Sequence, residues 1–353
     1  MSRSVRIFGA ALTMLGAALP ALGANASTPR LLDLQSPSAM VVSGSTLWIA
    51  EQGASSLVQL NAGTGAYIAT IGPKTLGVGR PDSMVVSATH LFVASTGGAV
   101  AELTTSAKHV RTIKTPNCAL SNTTLATSSA GLIELCSNGT INLINLSTGK
   151  VTKSLKSSTT KLTDATSMLV VKSDLFVTNV ASGTAPDEVV EFALGTFASL
   201  KSLTNLAQPS LALSSPMGIG FDGTDLWVTN SGNDTITEIN RATLSFVSII
   251  NGSGTSYNLW MPQQVLTRTV AGVANVYVAN VDGQYSSMVT RFTAPKETEQ
   301  DFDWTMCNTN DHYQFWDPSA MVLTGNTLWV VSRTNGVLDQ MDATSGALMQ
   351  EIL

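Results

Sequence analysis

The 353 residues are 44% hydrophobic but only 12% charged, where ordinary globular chains carry about 25% charge. The shortfall is filled by Ser, Thr, Asn and Gly, residues of turns and solvated strands. A net charge of −5 argues against a surface built to displace counterions from nucleic acid, and the apolar content excludes a disordered chain.

The chain opens with Arg3 and Arg6, an apolar run from Ile7 to Leu22, and Ala24-Asn25-Ala26. A basic stretch, a short greasy core and a small-x-small site are the parts of a secretory signal. The run is shorter than the roughly 20 residues a membrane span needs. We therefore expect 1–26 to be a signal peptide. The rest, 27–353, is then one exported domain, periplasmic or secreted, with no integral membrane segment. Removing two Arg from 19 basic residues and none of the 24 acids leaves a net charge of −7.

Seven copies of one pattern follow. Its anchor is a Leu-aromatic-Val type triplet: Leu47-Trp48-Ile49, Leu91-Phe92-Val93, Leu175-Phe176-Val177, Leu226-Trp227-Val228, Val276-Tyr277-Val278 and Leu328-Trp329-Val330, with Leu132-Ile133-Glu134 as a weaker copy. The central residues are spaced by 44, 41, 43, 51, 50 and 52. Ahead of the triplet comes a short apolar run, usually introduced by Pro, as in Pro37…Met40-Val41-Val42. Behind it come a polar loop, an alternating stretch such as Leu57-Val58-Gln59-Leu60, a turn such as Gly63-Thr64-Gly65, and a last apolar run. Each unit reads as four short strands with turns between them. Such a unit cannot bury both faces alone, whereas seven packed radially can. The expected fold is all-β, a seven-bladed β-propeller of four-stranded blades near 37–72, 81–114, 117–156, 164–203, 215–250, 261–293 and 317–353. Leu31 to Leu34 is expected to close the ring by pairing with the last blade.

The stretches Leu226-Trp227-Val228-Thr229-Asn230-Ser231-Gly232-Asn233 and Val276-Tyr277-Val278-Ala279-Asn280 resemble YVTN/NHL-type propeller repeats. The resemblance spans the chain after its leader and implies architecture more than activity. Families on such blades include sugar-lactone hydrolases, streptogramin lyases, peptide-lyase domains and binding-only modules.

In a propeller, the loops entering first strands and leaving second strands share one face. The residues closing the second strands are expected to be Glu51, Ser95, Cys136, Asn179, Asn230, Asn280 and Ser332. Asn at such a position holds its own turn. The alternative is oxygen ligation of Ca²⁺ or another divalent cation by Glu51, Asn179, Asn230 and Asp282. Lactone-hydrolysing propellers hold a metal with a similar set. Two entering loops carry aromatics: 251–260, with Tyr257 and Trp260, and Ala294 to Trp316, with Trp304, Cys307, His312, Tyr313 and Trp316. Long loops without structure are usually functional or disordered, and aromatics argue against disorder. A self-packed cap, a ligand platform and a protein interface all fit. On the platform reading the ligand-binding residues are Tyr257, Trp260, Trp304, His312, Tyr313 and Trp316.

Catalytic signatures are sparse. His90, His109 and His312 are scattered too widely for a multi-His metal site. Gly218-Ile219-Gly220-Phe221-Asp222-Gly223 spells GxGxxG but sits in a strand and its turn, not between strand and helix. Cys118 is expected at the start of the first strand of blade three and Cys136 at the end of its second, side by side and able to form a disulfide. The residues favour an exported binding or scaffold module for a small molecule, glycan, peptide or protein, with no cofactor expected. The alternative is a metal-assisted hydrolase or lyase at the channel mouth.

Overall fold

The computed structural model describes residues 32–118, 122–252, 259–281, 288–294 and 316–352, together with the strand course of 302–307. The expected signal peptide lies outside these residues. Seven antiparallel sheets of four strands each, every one built from contiguous chain, form a seven-bladed propeller. The first strands are Pro37–Ser43, Pro81–Ser87, Thr123–Ser128, Ala165–Val171, Pro216–Phe221, Pro262–Val270 and Pro318–Thr324. Each second strand ends at the residue expected from the repeat: Glu51, Ser95, Cys136, Asn179, Asn230, Asn280 and Ser332. No helix among the described residues is long and apolar enough to cross a membrane.

The triplet explains the packing. A second strand has a neighbouring blade on both faces, so it is apolar on both, and its side chains alternate between the two neighbours. Leu47 and Ile49 pack in the cluster shared with blade seven, while Trp48 and Ala50 pack in the one shared with blade two. Seven hydrophobic clusters result, one at each junction between blades. Trp48, Phe92, Phe176, Trp227, Tyr277 and Trp329 are all buried there. Blade three uses Ile133 instead. Outer strands such as Val151–Leu155 alternate half-buried and exposed residues, as a strand with one wet face should.

A second system runs around the axis. Ser319 Oγ donates to Pro37 O (2.7 Å) and Ser38 Oγ to Pro81 O (2.8 Å). Leu125 N donates to Ser83 Oγ (3.0 Å), Ala165 N to Ser137 O (2.8 Å) and Thr166 Oγ1 to Pro216 O (2.6 Å). Thr229 Oγ1 reaches Gln263 O (3.0 Å) and Gln264 Nε2 reaches Ser319 O (2.6 Å). Every junction thus carries a hydrogen bond close to the channel. Each is worth about 1 kcal/mol net and more in register, because a buried polar group left unpaired is costly.

Three expectations are corrected. The last sheet consists of Pro318–Thr324, Thr327–Ser332, Leu338–Asp342 and Leu348–Ile352, and residues 32–34 add no strand to it. Leu32 and Leu34 are buried in the cluster between blades one and seven, with the Leu34 carbonyl against Gly336. Leu34 is one of a series, since Val78, Leu162, Leu213 and Leu259 are likewise buried three residues before their own first strands. The segment plugs a junction with side chains instead of lending it backbone. Second, blade six does not stop near 293. Its fourth strand is Phe302–Cys307, paired with Met288–Ala294, so 294–316 is not one long entering loop. Third, Cys118 lies in the loop leading to blade three, whose first strand begins at Thr123.

One buried residue stands out by its charge. Asp339 faces Val330 across blade seven, where the other blades place an uncharged residue, Val58, Ala101, Asn142, Val190, Thr237 or Thr290. It is 0% exposed and neither carboxylate oxygen has a hydrogen-bond partner. Burial first, and the charge of Glu351 on the paired strand second, push its pKa to about 8.

Candidate functional site

The first strands of all seven blades surround a cavity of about 410 Å³ on the axis. Much of its polar lining is engaged by the junction bonds described above. What the fold does not require lies at one mouth, where entering loops and second-strand ends meet. There Asp82 follows Pro81 in blade two. Its carboxylate accepts from Thr123 N and from Gln52 Nε2 (2.7 Å). Burial raises its pKa, while Thr123, Gln52 and the positive charge of Arg333 oppose that rise. Arg333, just past the end of the second strand of blade seven, stands 3.9 Å from Asp317 with half its side chain exposed. An acid, a second acid and a half-exposed cation thus share the lining of one polar cavity.

The same mouth carries exposed apolar groups. Trp260 (45%) and Met261 (46%) enter blade six, and Trp316 (55%) enters blade seven. The backbone around them is fixed: Val281 N donates to Met261 O, Met261 N to Asp234 Oδ1, and Thr334 N to Trp316 O. Flat amphipathic side chains presented on anchored backbone form contacts at low ordering cost.

The structure places the other sequence candidates as follows. Tyr257, His312, Tyr313 and Asp282 lie outside the described residues. Trp304 sits in the fourth strand of blade six, opposite Arg291, and not in a loop entering blade seven. Glu51 accepts from Gln35 N and Ser56 Oγ. Asn179 Oδ1 accepts from Thr163 N and Asp164 N, and Asn230 Oδ1 from Ser214 N. These oxygens hold the entering loops of their own blades. His90 lies 3.7 Å from Glu102, and His109 Nε2 lies 3.0 Å from Thr112 Oγ1. A cavity beside His90, between blades two and three, contains Arg111. That guanidinium is already bonded to Glu102 and to the carbonyls of Leu146 and Ser147.

Blade three holds its entering loop covalently. Cys118 and Cys136 form a disulfide, with their Cα atoms 5.6 Å apart. It ties the second-strand end to the loop ahead of the first strand, as Asn179 does by hydrogen bonds in blade four.

Sequence reasoning missed Asp82 and Arg333, although a signal was present. Aligned on strand starts, the residue after the first is Ser38, Asp82, Thr124, Thr166, Met217, Gln263 or Ser319. After the second strand come Gln52, Thr96, Ser137, Val180, Ser231, Val281 or Arg333. One charge interrupts each series, and both charges line the mouth.

No family model matches the chain, and no curated protein matches it. Solved structures do. The computationally designed Ika8 protein aligns at TM-score 0.60 and 12% identity, over 92% of this chain and 90% of that one. U3-55K aligns at 0.61 and 10% identity, over 85% and 89%. BamB from Moraxella catarrhalis aligns at 0.54 and 15% identity, over 86% and 83%. At such identities the likeness is one of fold. It extends the propeller assignment and leaves the resemblance to YVTN/NHL repeats resting on the sequence.

Proposed function

We propose that the protein is an exported binding or scaffold module that takes a peptide or glycan at the mouth bearing Asp82, Asp317, Arg333, Trp260 and Trp316. The observation that carries this reading is the pairing of half-exposed tryptophans with a charged, polar cavity on one face of a rigid ring. Rings supply contact area, and Asp82 with Arg333 supplies orientation through charge-assisted hydrogen bonds. The propeller neighbours are consistent with this because the fold hosts such modules, though fold alone carries no ligand.

The test is a screen of glycan and peptide panels by tryptophan fluorescence, followed by titration of Trp316→Ala, Trp260→Ala and Arg333→Gln. Binding should weaken by about 1–3 kcal/mol for each ring, with melting temperatures nearly unchanged. A ligand bound equally well by all three variants would refute the site. Elemental analysis of the purified protein tests the hydrolase alternative, which requires a stoichiometric divalent ion.

A further inference from the structure

Blade three departs from its neighbours at one spot. Where the second and third strands face each other, the other blades pair Ile49 with Val58, Val93 with Ala101, Val177 with Val190, Val228 with Thr237, Val278 with Thr290 and Val330 with Asp339. Blade three pairs Glu134 with Asn142, both 0% exposed. The two cysteines sit at this same place. Sulfurs of Cys118 and Cys136 and a carboxylate oxygen of Glu134 all lie within 4.8 Å of one another. Asn142 Nδ2 is 2.9 Å from Glu134 Oε2 and 3.2 Å from Cys118 Sγ, and Asn142 Oδ1 has no hydrogen-bond partner. Thr115 Oγ1 donates to Glu134 Oε1 at 3.0 Å.

A disulfide requires none of these neighbours. Its sulfurs are uncharged and pack well against aliphatic groups. Burying a carboxyl and an amide beside them costs free energy that blades one, two and four avoid by placing Val58, Ala101 and Val190 here, and that blade seven also incurs with Asp339. Two thiolates, a carboxylate and an amide oxygen are, by contrast, a donor set for a tetrahedral, borderline-soft divalent cation, with metal–sulfur bonds of about 2.3 Å and metal–oxygen bonds of about 2.0–2.2 Å. A half-turn of the amide about its last bond offers Oδ1 in place of Nδ2, at the cost of the Nδ2 bonds to Glu134 Oε2 (2.9 Å) and Pro116 O (3.2 Å), so metal bonds must outweigh both.

We propose that Cys118, Glu134, Cys136 and Asn142 form a zinc-class metal site whenever the Cys118–Cys136 bond is open, so that disulfide and metal are alternative states of one buried cluster. Opening the bond takes two electrons and two protons from a dithiol reductant, which becomes a disulfide. The metal ion then displaces the two thiol protons to solvent and binds both thiolates. Newly made chains carry these cysteines as thiols, and bound metal holds them unoxidised.

The experiment uses the purified protein with Cys307→Ser, so that only this pair contributes thiols. After reduction and removal of the reductant, Co²⁺ is added and absorption recorded. One Co²⁺ per chain should bind, with thiolate-to-cobalt charge-transfer bands and the visible bands of a tetrahedral ion. The oxidised protein should show neither. Glu134→Gln, checked by circular dichroism, should bind at least about tenfold more weakly, and Cys136→Ser should lose the charge-transfer bands. Zn²⁺ should slow reoxidation of the thiols at least about tenfold. Failure of the reduced, folded protein to take Co²⁺ would overturn the proposal. So would unchanged affinity in Glu134→Gln, or reoxidation at equal rates with and without Zn²⁺. Should Cys136→Ser not fold, the oxidised protein and Glu134→Gln carry the comparison.

Discussion

Asp339→Val should stabilise this protein, and by an amount that depends on pH. In the unfolded chain the carboxyl titrates near its ordinary 3.8, whereas in the folded blade its pKa is about 8. Between these values the folded state holds a proton that the unfolded state has released. Stability is therefore fully present below about pH 4, falls as pH rises towards 8, and is level above. From pH 4 to pH 7 the fall covers roughly three units at 1.36 kcal/mol each, about 4 kcal/mol. Valine occupies the same position in blades one and four, as Val58 and Val190, and carries no proton. Urea unfolding of both proteins from pH 4 to pH 9 should give a difference that widens with pH and levels off near 8. At pH 7 the variant should be more stable by about 4 kcal/mol, with retained methyl packing adding to the gain. A difference that stays constant across pH 5–8 would refute the reasoning, as would a variant less stable at pH 7.

The other expectations are more local. Gly336 has φ +68°, and a Cβ there would stand 2.3 Å from Leu34 O; Gly336→Ala should cost more than the 1–2 kcal/mol or so of the left-handed backbone alone, read as a lowered urea midpoint. Arg241 pairs with Asp174 between blades five and four and stacks 5.6 Å from Phe176; Arg241→Ala should cost about 2–3 kcal/mol by stranding a partly buried carboxylate. Trp48→Ala, which empties a fully buried site, should cost about 3–5 kcal/mol, whereas Trp316→Ala should leave thermal melts within about 1 kcal/mol of the parent. Alkylation of the denatured, unreduced protein should spare Cys118 and Cys136, and their joint replacement by Ser should cost about 3 kcal/mol.

The blades were legible because each second strand lies between two neighbours and must be apolar on both faces, and an aromatic among aliphatics leaves a repeat that survives divergence elsewhere. The fourth strand of blade six was not read. The polar run 295–301 precedes it and looks like the start of a loop, although Phe302, Trp304 and Met306 alternate as a strand does. The segment from Leu31 to Leu34 reads as a strand because it precedes Pro37 much as fourth strands precede later blades. The distance of Leu34 from Pro37, matched by Val78 before Pro81 and Leu213 before Pro216, would have identified it as a plug. The bonds that link blades escaped the sequence for a different reason. Ser319 meets the Pro37 carbonyl 282 positions away, and nothing local marks such a serine. At the mouth, Asp82 and Arg333 were readable as interruptions of two otherwise uncharged series, and their shared cavity was not.

Closure by plug and serine has a consequence for how this architecture changes over time. A propeller that closes by lending a strand from one end to the other has a privileged blade, and its termini cannot be moved without splitting a sheet. Here every sheet is contiguous and the junction between blades seven and one is held by the same kinds of contact as the others. A circularly permuted chain that starts at any entering loop, with old ends joined across the seam, should therefore rebuild the same ring. Equally, an unequal crossover within the gene that gains or loses one whole repeat disturbs no strand pairing. Blade number is set by how many wedge-shaped units fill the circle, not by the thread that runs through them.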